Sequence, residues 1–329
     1  MSCISVVTHA ASTWGILRDW AGYIRPFTRS VPISLLVPMV ALKTVEYAIY
    51  KSRPRQITST RRKTQLIYMI TSRCTDRCPK CGIWKRPEPA DSRVGVDAVL
   101  RAIKEVVREL GCVTITGGEP LLYSEEVLAV ANLCKAERVP LAVVTNATQL
   151  TSAAVLGLDY PGNTIVVSLD TVSEQAWADF RGRNHFQQVM HNVRNAHNLL
   201  RFAELRVQTV LAQETVEHVA GVRAFCEQLQ IAHQIQPYMD FGGSWNPTKD
   251  SCKGLPSSPC AAWRNICIYP NGDVVRCFDH TRIPEAKHPL GNITDQSLDA
   301  ILCSRRSSVV TNLMKRCALP CKTLSCNRV

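Results

Sequence analysis

The chain has 329 residues, 46% of them hydrophobic, with 15 cysteines and a formal charge of +12. That length buries a core without metal or disulfide staples, so it describes one large α/β domain with an appendage and not a string of small modules. The first apolar stretch is broken by Arg18 and Asp19 and has no basic segment ahead of it, so a secretory signal and a disulfide framework are not expected; the thiols point to metal or redox chemistry in the cytoplasm. No basic stretch interleaved with aromatic residues appears, which argues against nucleic acid as the partner of the positive charge.

In chain order, residues 1–60 read as a helical, amphipathic extension. Its apolar run from Val31 to Tyr50 contains Pro32, Pro38, Lys43 and Glu46, which makes it a poor membrane span. It reads as a helical lid on the domain that follows, or, through residues 31–55 with their basic flank, as a peripheral membrane contact. From 66 to 238, strands alternate with helices, the pattern of a parallel sheet with crossovers. Six strands are predicted, at Leu66–Thr71, Cys112–Thr116, Leu141–Thr145, Thr164–Ser168, Leu205–Leu211 and Ile231–Tyr238. A helix is predicted over Asp97–Leu110, where Val99, Leu100, Ile103, Val106, Val107 and Leu110 recur at helical spacing and Gly111 follows as a stop. The texture changes after Asp240, and a boundary is placed near 245, giving a barrel over 61–245 and a small domain over 246–329.

Just beyond the first strand stand Cys74, Cys78 and Cys81, spaced C-x3-C-x2-C in one loop. Three ligands is the informative count: a cubane [4Fe–4S] cluster held by three thiolates keeps one iron without a protein ligand, open to a small chelator. The amino and carboxylate groups of S-adenosylmethionine form such a chelator. Zinc is the rival, but structural zinc takes four ligands and none nearby is the fourth. The second strand ends in Thr116, Gly117, Gly118, Glu119 and Pro120. The glycines let backbone approach a ligand closely, and Glu119 offers a carboxylate to an ammonium. Asn146 follows the third strand, Ser168 and Asp170 the fourth, and Arg181 lies beyond them; each also has an ordinary reading as turn residue, helix cap or solvated charge. The common placement is what informs, because βα barrels put their chemistry at the C-terminal strand ends.

Over residues 66–326 the chain resembles the radical SAM superfamily. The resemblance implies a partial (β/α)6 TIM-like barrel with a small C-terminal iron–sulfur domain. It also implies that Cys74, Cys78 and Cys81 bind a [4Fe–4S] cluster, with Gly117, Gly118, Glu119, Asn146, Ser168 and Arg181 around S-adenosylmethionine.

Seven cysteines fall between Cys260 and Cys326. Asn271 and Gly272 read as a hairpin turn, and Cys277 follows Gly272 by five residues. The pattern is similar to the C-x(9–15)-G-x4-C element of SPASM and Twitch domains. It implies a second [4Fe–4S] cluster on Cys260, Cys277, Cys317 and Cys321, with Cys326 as substitute; structural zinc is the alternative. Cys267 and Cys303 read as core thiols. Thiolate-bound clusters carry negative charge, which offsets part of the formal +12.

The activity implied is reductive cleavage of S-adenosylmethionine to a 5′-deoxyadenosyl radical that takes a hydrogen atom from a substrate carbon, supplied with electrons by a flavodoxin- or ferredoxin-like donor. The main expectation is dehydrogenation or epimerisation of a small molecule such as a sugar or cyclitol, with no peptide-binding module apparent. The alternatives are a maturase acting on a ribosomally made peptide and a non-catalytic iron–sulfur or zinc-binding protein.

Overall fold

The computed structural model describes residues 64–85, 92–238, 243–245, 261–278 and 287–315. The N-terminal extension, with its segment 31–55, lies outside the described residues, as do Cys260, Cys317, Cys321 and Cys326.

The six predicted strands are present as β1 (Thr64–Met69), β2 (Leu110–Thr116), β3 (Leu141–Thr145), β4 (Asn163–Ser168), β5 (Glu204–Leu211) and β6 (Ala232–Pro237). They lie side by side in chain order, all parallel, as short βα crossovers require. The intervening helices are α1 (Val96–Val106), α2 (Ser124–Glu137), α3 (Ser152–Leu158), α4 (Glu174–Arg181), α5 (Phe186–Leu199) and α6 (Val219–Leu229). The sheet does not close, so the architecture is a partial barrel.

Strand periodicity of two divides the residues between core and site. Val113 and Ile115, Leu141 and Val143, Ile165 and Val167 are fully buried against the helices, joined by Val99, Ile103 and Val106 of α1 and Val189 and Val193 of α5. The alternate residues, among them Ile67, Met69, Thr114, Thr116, Val144, Val166 and Ser168, face an interior cavity. The helix predicted to reach Leu110 stops at Val106 and passes through one 3-10 turn. Leu110 and Gly111 already belong to β2, where Leu110 pairs with Thr64; helical spacing cannot distinguish a last helical apolar residue from a first strand residue.

After position 245 the hairpin predicted at Asn271 and Gly272 joins β7 (Ile266–Ile268) to antiparallel β8 (Asp273–Val275), with Gly272 at φ +86° in the turn. β7 pairs parallel with β1, so the hairpin extends the barrel sheet, and β9 (Gly291–Asn292) adds to β8. The helices α7 (Leu298–Cys303) and α8 (Arg305–Lys315) bury Leu298, Ile301, Val310 and Met314 in the same core as the barrel strands. Among the described residues no helix is long and apolar enough to cross a membrane.

Candidate active site

The loop leaving β1 is braced by its own polar groups. Arg77 donates to the carbonyls of Cys74 (2.6 Å) and Asp76 (2.8 Å), and its guanidinium lies over the Trp84 ring. Trp84 donates its indole N–H to the Cys78 carbonyl at 3.1 Å, and the Cys81 amide donates to the same carbonyl. Thr75 shares a 2.7 Å hydrogen bond with Thr148, beyond β3. Cys74, Cys78 and Cys81 thereby come to line one cavity together. Burial pushes the Cys74 thiol up to about 12 and raises that of Cys78.

The segment after β2 is packed directly on this loop. Gly118 donates its amide to the Thr71 carbonyl (2.7 Å) and Glu119 to that of Arg73 (2.8 Å). A Cβ on Gly118 would lie 2.0 Å from the Arg73 oxygen, and one on Gly117, at φ +153°, 2.5 Å from the Thr71 oxygen. The backbone that these glycines admit is therefore that of the cysteine loop.

Glu119 is fully buried and is not among the residues lining the cavity. Its Oε1 accepts from the Thr145 hydroxyl (2.7 Å) and the Leu121 amide (3.0 Å), and its Oε2 from the Asn146 amide (2.7 Å). Burial raises its pKa to about 7 against the lowering effect of these three donors. The carboxylate ties the end of β2 to the end of β3. Asn146, so placed, directs its carboxamide N–H to Thr75 Oγ1 (2.9 Å) and Cys74 Sγ (3.6 Å).

Arg181, at the end of α4, is only 3% exposed and is no solvated charge. It donates to the Ser168 carbonyl at 2.5 Å and to Cys78 Sγ at 3.9 Å, and pairs with Asp170 at 3.0 Å. Burial alone would lower its pKa, but Asp170, Cys78 and Asp76 hold it above the ordinary value. Asp170, which Lys80 also engages, is held below the usual carboxylate range although burial opposes this. This cluster of charges was not apparent from sequence, because its members come from the cysteine loop, β4 and α4.

The cavity has a volume of about 490 Å³ and reaches across the inner face of the sheet. Besides the three loop cysteines it is lined by Gly117, Gly118, Asn146, Ser168 and Arg181. Its β5–β6 side carries Gln208, Gln234 and Gln236, and its β1–β7 side Gln65, Asn265 and Cys267, with Cys277 beyond. Cys267, expected as a core thiol, is 1% exposed but faces the cavity, because in β7 it is Ile266 and Ile268 that face the core.

Among the described residues no three His, Cys, Asp or Glu side chains converge closely enough to hold a single metal ion. A cubane asks for a different arrangement, with each thiolate on its own iron around a shared volume. The three thiols on one cavity wall, two of them approached by N–H donors, fit that group better than zinc.

Residues 68–225 match the radical SAM superfamily, and residues 260–327 match an iron–sulfur cluster-binding domain, SPASM. The chain belongs to the radical SAM superfamily and carries a C-terminal SPASM domain, which makes it an enzyme whose cofactors are S-adenosylmethionine, a [4Fe–4S] cluster and additional SPASM-bound iron–sulfur. It is 34% identical over 169 residues to a GTP 3′,8-cyclase of Rhodococcus opacus, covering 48% of this chain and 46% of that protein, so it spans less than half the length of this curated relative. In fold it is similar to Streptococcus suis SuiB bound to precursor peptide SuiA, with TM-score 0.63, 13% identity and coverage of 88% of this chain and 84% of that one. It is also similar to native anSMEcpe with bound AdoMet and Cp18Cys peptide, with TM-score 0.57, 15% identity and coverage of 79% and 86%. Likeness at this identity establishes the fold. The preference for a small-molecule partner over a peptide is overturned by these neighbours, both of which hold peptides.

Proposed function

We propose that this enzyme modifies a peptide by removing a hydrogen atom from one of its carbons, an oxidative maturation carried out in the cytoplasm. When bound, the iron–sulfur centres supply one-electron chemistry: cleavage of S-adenosylmethionine to a 5′-deoxyadenosyl radical at the first, and acceptance of an electron at the second. The division of labour puts Cys74, Cys78 and Cys81 of the 61–245 barrel on the first cluster. Cys260, Cys277, Cys317 and Cys321, with Cys326 as substitute, serve the second in 246–329.

The observation that carries the peptide reading is the β5–β6 wall of the cavity. Gln208 and Gln234 are register partners on β5 and β6, and Gln236 lies one inward position further on. A carboxamide offers donor and acceptor together, the complement of a peptide group. Arg206, the guanidinium on this wall, is already engaged by Glu204 (2.7 and 2.9 Å), which disfavours a carboxylate-bearing small molecule. Gly117 and Gly118 hold the part of the cavity wall beside the cysteine loop in shape, Asn146 and Arg181 direct N–H groups to the thiol sulfurs, and Ser168 presents its side chain to the same space.

The test is anaerobic reconstitution with iron and sulfide, followed by dithionite, S-adenosylmethionine and the peptides encoded beside the gene. The reading requires 5′-deoxyadenosine and a peptide product lighter by two hydrogens. A peptide of unchanged mass but altered configuration would make the reaction an epimerisation. Turnover of a sugar with no change in any peptide would refute the peptide reading.

A further inference from the structure

Positions 76, 78 and 80 of the cysteine loop alternate, and all three side chains reach one buried ion pair. Asp76 Oδ2 and Cys78 Sγ each lie 3.9 Å from the same guanidinium nitrogen of Arg181. Lys80 is ion-paired with Asp170, whose Oδ2 is 3.0 Å from the other terminal nitrogen of Arg181. His185 closes the far end, with Nδ1 3.1 Å from Asp76 Oδ1. The backbone repeats the connection: the Arg77 amide donates to the Arg181 carbonyl at 2.8 Å, and a Cβ on Gly182 would stand 2.4 Å from the Arg77 oxygen.

Stability is a poor reason for this arrangement. Asp76, Asp170 and Arg181 are each at most 3% exposed, and a buried ion pair seldom outperforms an apolar pair of the same volume. What an apolar pair would lack is orientation of charge. Asp170 and the Ser168 carbonyl take one terminal nitrogen of Arg181, which leaves the other shared between the sulfur of Cys78 and Asp76 Oδ2, each at 3.9 Å. Asp170 also accepts the Val210 amide at 3.0 Å, so this carboxylate is fixed to β5 and cannot follow the loop.

A positive charge and an N–H donor at a ligating sulfur favour the electron-rich form of an iron–sulfur cluster, and so raise its reduction potential. We propose that Arg181 is a positioning residue that sets the one-electron potential of the S-adenosylmethionine-binding cluster through Cys78, and that Asp170 aims its guanidinium and moderates its charge. This rests on the reading that Cys74, Cys78 and Cys81 hold that cluster. The step concerned adds one electron from an external reductant and makes or breaks no bond to Arg181. The arrangement lets the fold, and not the exposed surface, fix how strong a reductant the enzyme requires.

The test is a redox titration of the reconstituted holoenzyme followed by electron paramagnetic resonance. It tracks the signal that changes when S-adenosylmethionine is added, which separates this cluster from the SPASM-bound iron–sulfur. Arg181→Gln is expected to lower the midpoint potential, Asp170→Asn to raise it, and Arg181→Lys to stay nearer the wild type than Arg181→Gln. Opposite directions cannot come from a merely loosened loop, which would move both variants the same way. Unchanged potentials, or shifts of one sign in both, overturn the proposal. If Arg181→Gln fails to retain iron, Asp170→Asn decides alone: an upward shift supports the proposal, and no shift or loss of the signal overturns it. A wild-type holoenzyme with no signal responsive to S-adenosylmethionine would instead refute the assignment of the loop cysteines.

Discussion

Gly118 and Arg73 meet backbone to backbone: the space a side chain would need at Gly118 is filled by the Arg73 carbonyl, 2.0 Å from the Cβ position. That oxygen is the acceptor of the Glu119 amide and sits one residue before Cys74. Gly118→Ala must therefore push the cysteine loop away from the end of β2. The expected cost is about 1–3 kcal/mol, the range of overpacking, and at its upper end because the neighbour is backbone. Thermal unfolding measures the loss of stability, and iron analysis after reconstitution should show less metal at the loop while the SPASM-bound iron is retained.

Replacing Cys74, Cys78 and Cys81 together by Ala should lower the iron content by about four per chain, one cubane, and abolish 5′-deoxyadenosine formation. Iron that remains would belong to the C-terminal domain. Full wild-type iron in the triple variant would place the first cluster elsewhere.

Glu119 carries a pH signature. Its pKa is raised from 4.5 to about 7 in the folded chain, so between these values the folded state holds a proton that the unfolded state has released. Its contribution to stability is full below pH 4.5 and falls as pH rises, until about pH 7. The loss is on the order of a few kcal/mol. Glu119→Gln, neutral throughout, should lack this component at a constant cost of about 1 kcal/mol, because its amide must face one of three donors. Comparing the unfolding temperatures of the two proteins between pH 5 and 8 checks this; parallel profiles would exclude Glu119 as the titrating group.

The strands, the cysteine loop and the Gly-Gly turn could be read from local pattern, because each is written in a few neighbouring residues. The face of Cys267 could have been read too: the alternation of Ile266, Cys267 and Ile268 puts the thiol opposite its apolar neighbours. Arg181 could not. Its partners lie at positions 76, 78, 168 and 170, and nothing in its own segment distinguishes a buried guanidinium from a solvated one. Glu119 was similarly opaque, since its burial depends on Thr145 and Asn146 arriving from the next strand.

For the substrate, Gln208→Leu removes a donor and an acceptor from the cavity wall while keeping the bulk of the side chain. A hydrogen bond to a neutral partner is worth about 1–1.5 kcal/mol, so the KM of the peptide should rise about tenfold. Steady-state kinetics with the peptide substrate measures it. An unaltered KM would put the peptide on another wall.

The pairing of β7 with β1 bears on how the enzyme can be handled. A chain ended at 245 would strip β1 of that neighbour along Leu66, Ile67 and Tyr68 and bare a row of amides and carbonyls beside the cysteine loop. Such a fragment would seek strands from other molecules. The iron–sulfur appendage thus doubles as a guard on the flank of the sheet, and trimming it for crystallisation or expression should yield aggregates in place of a smaller working enzyme.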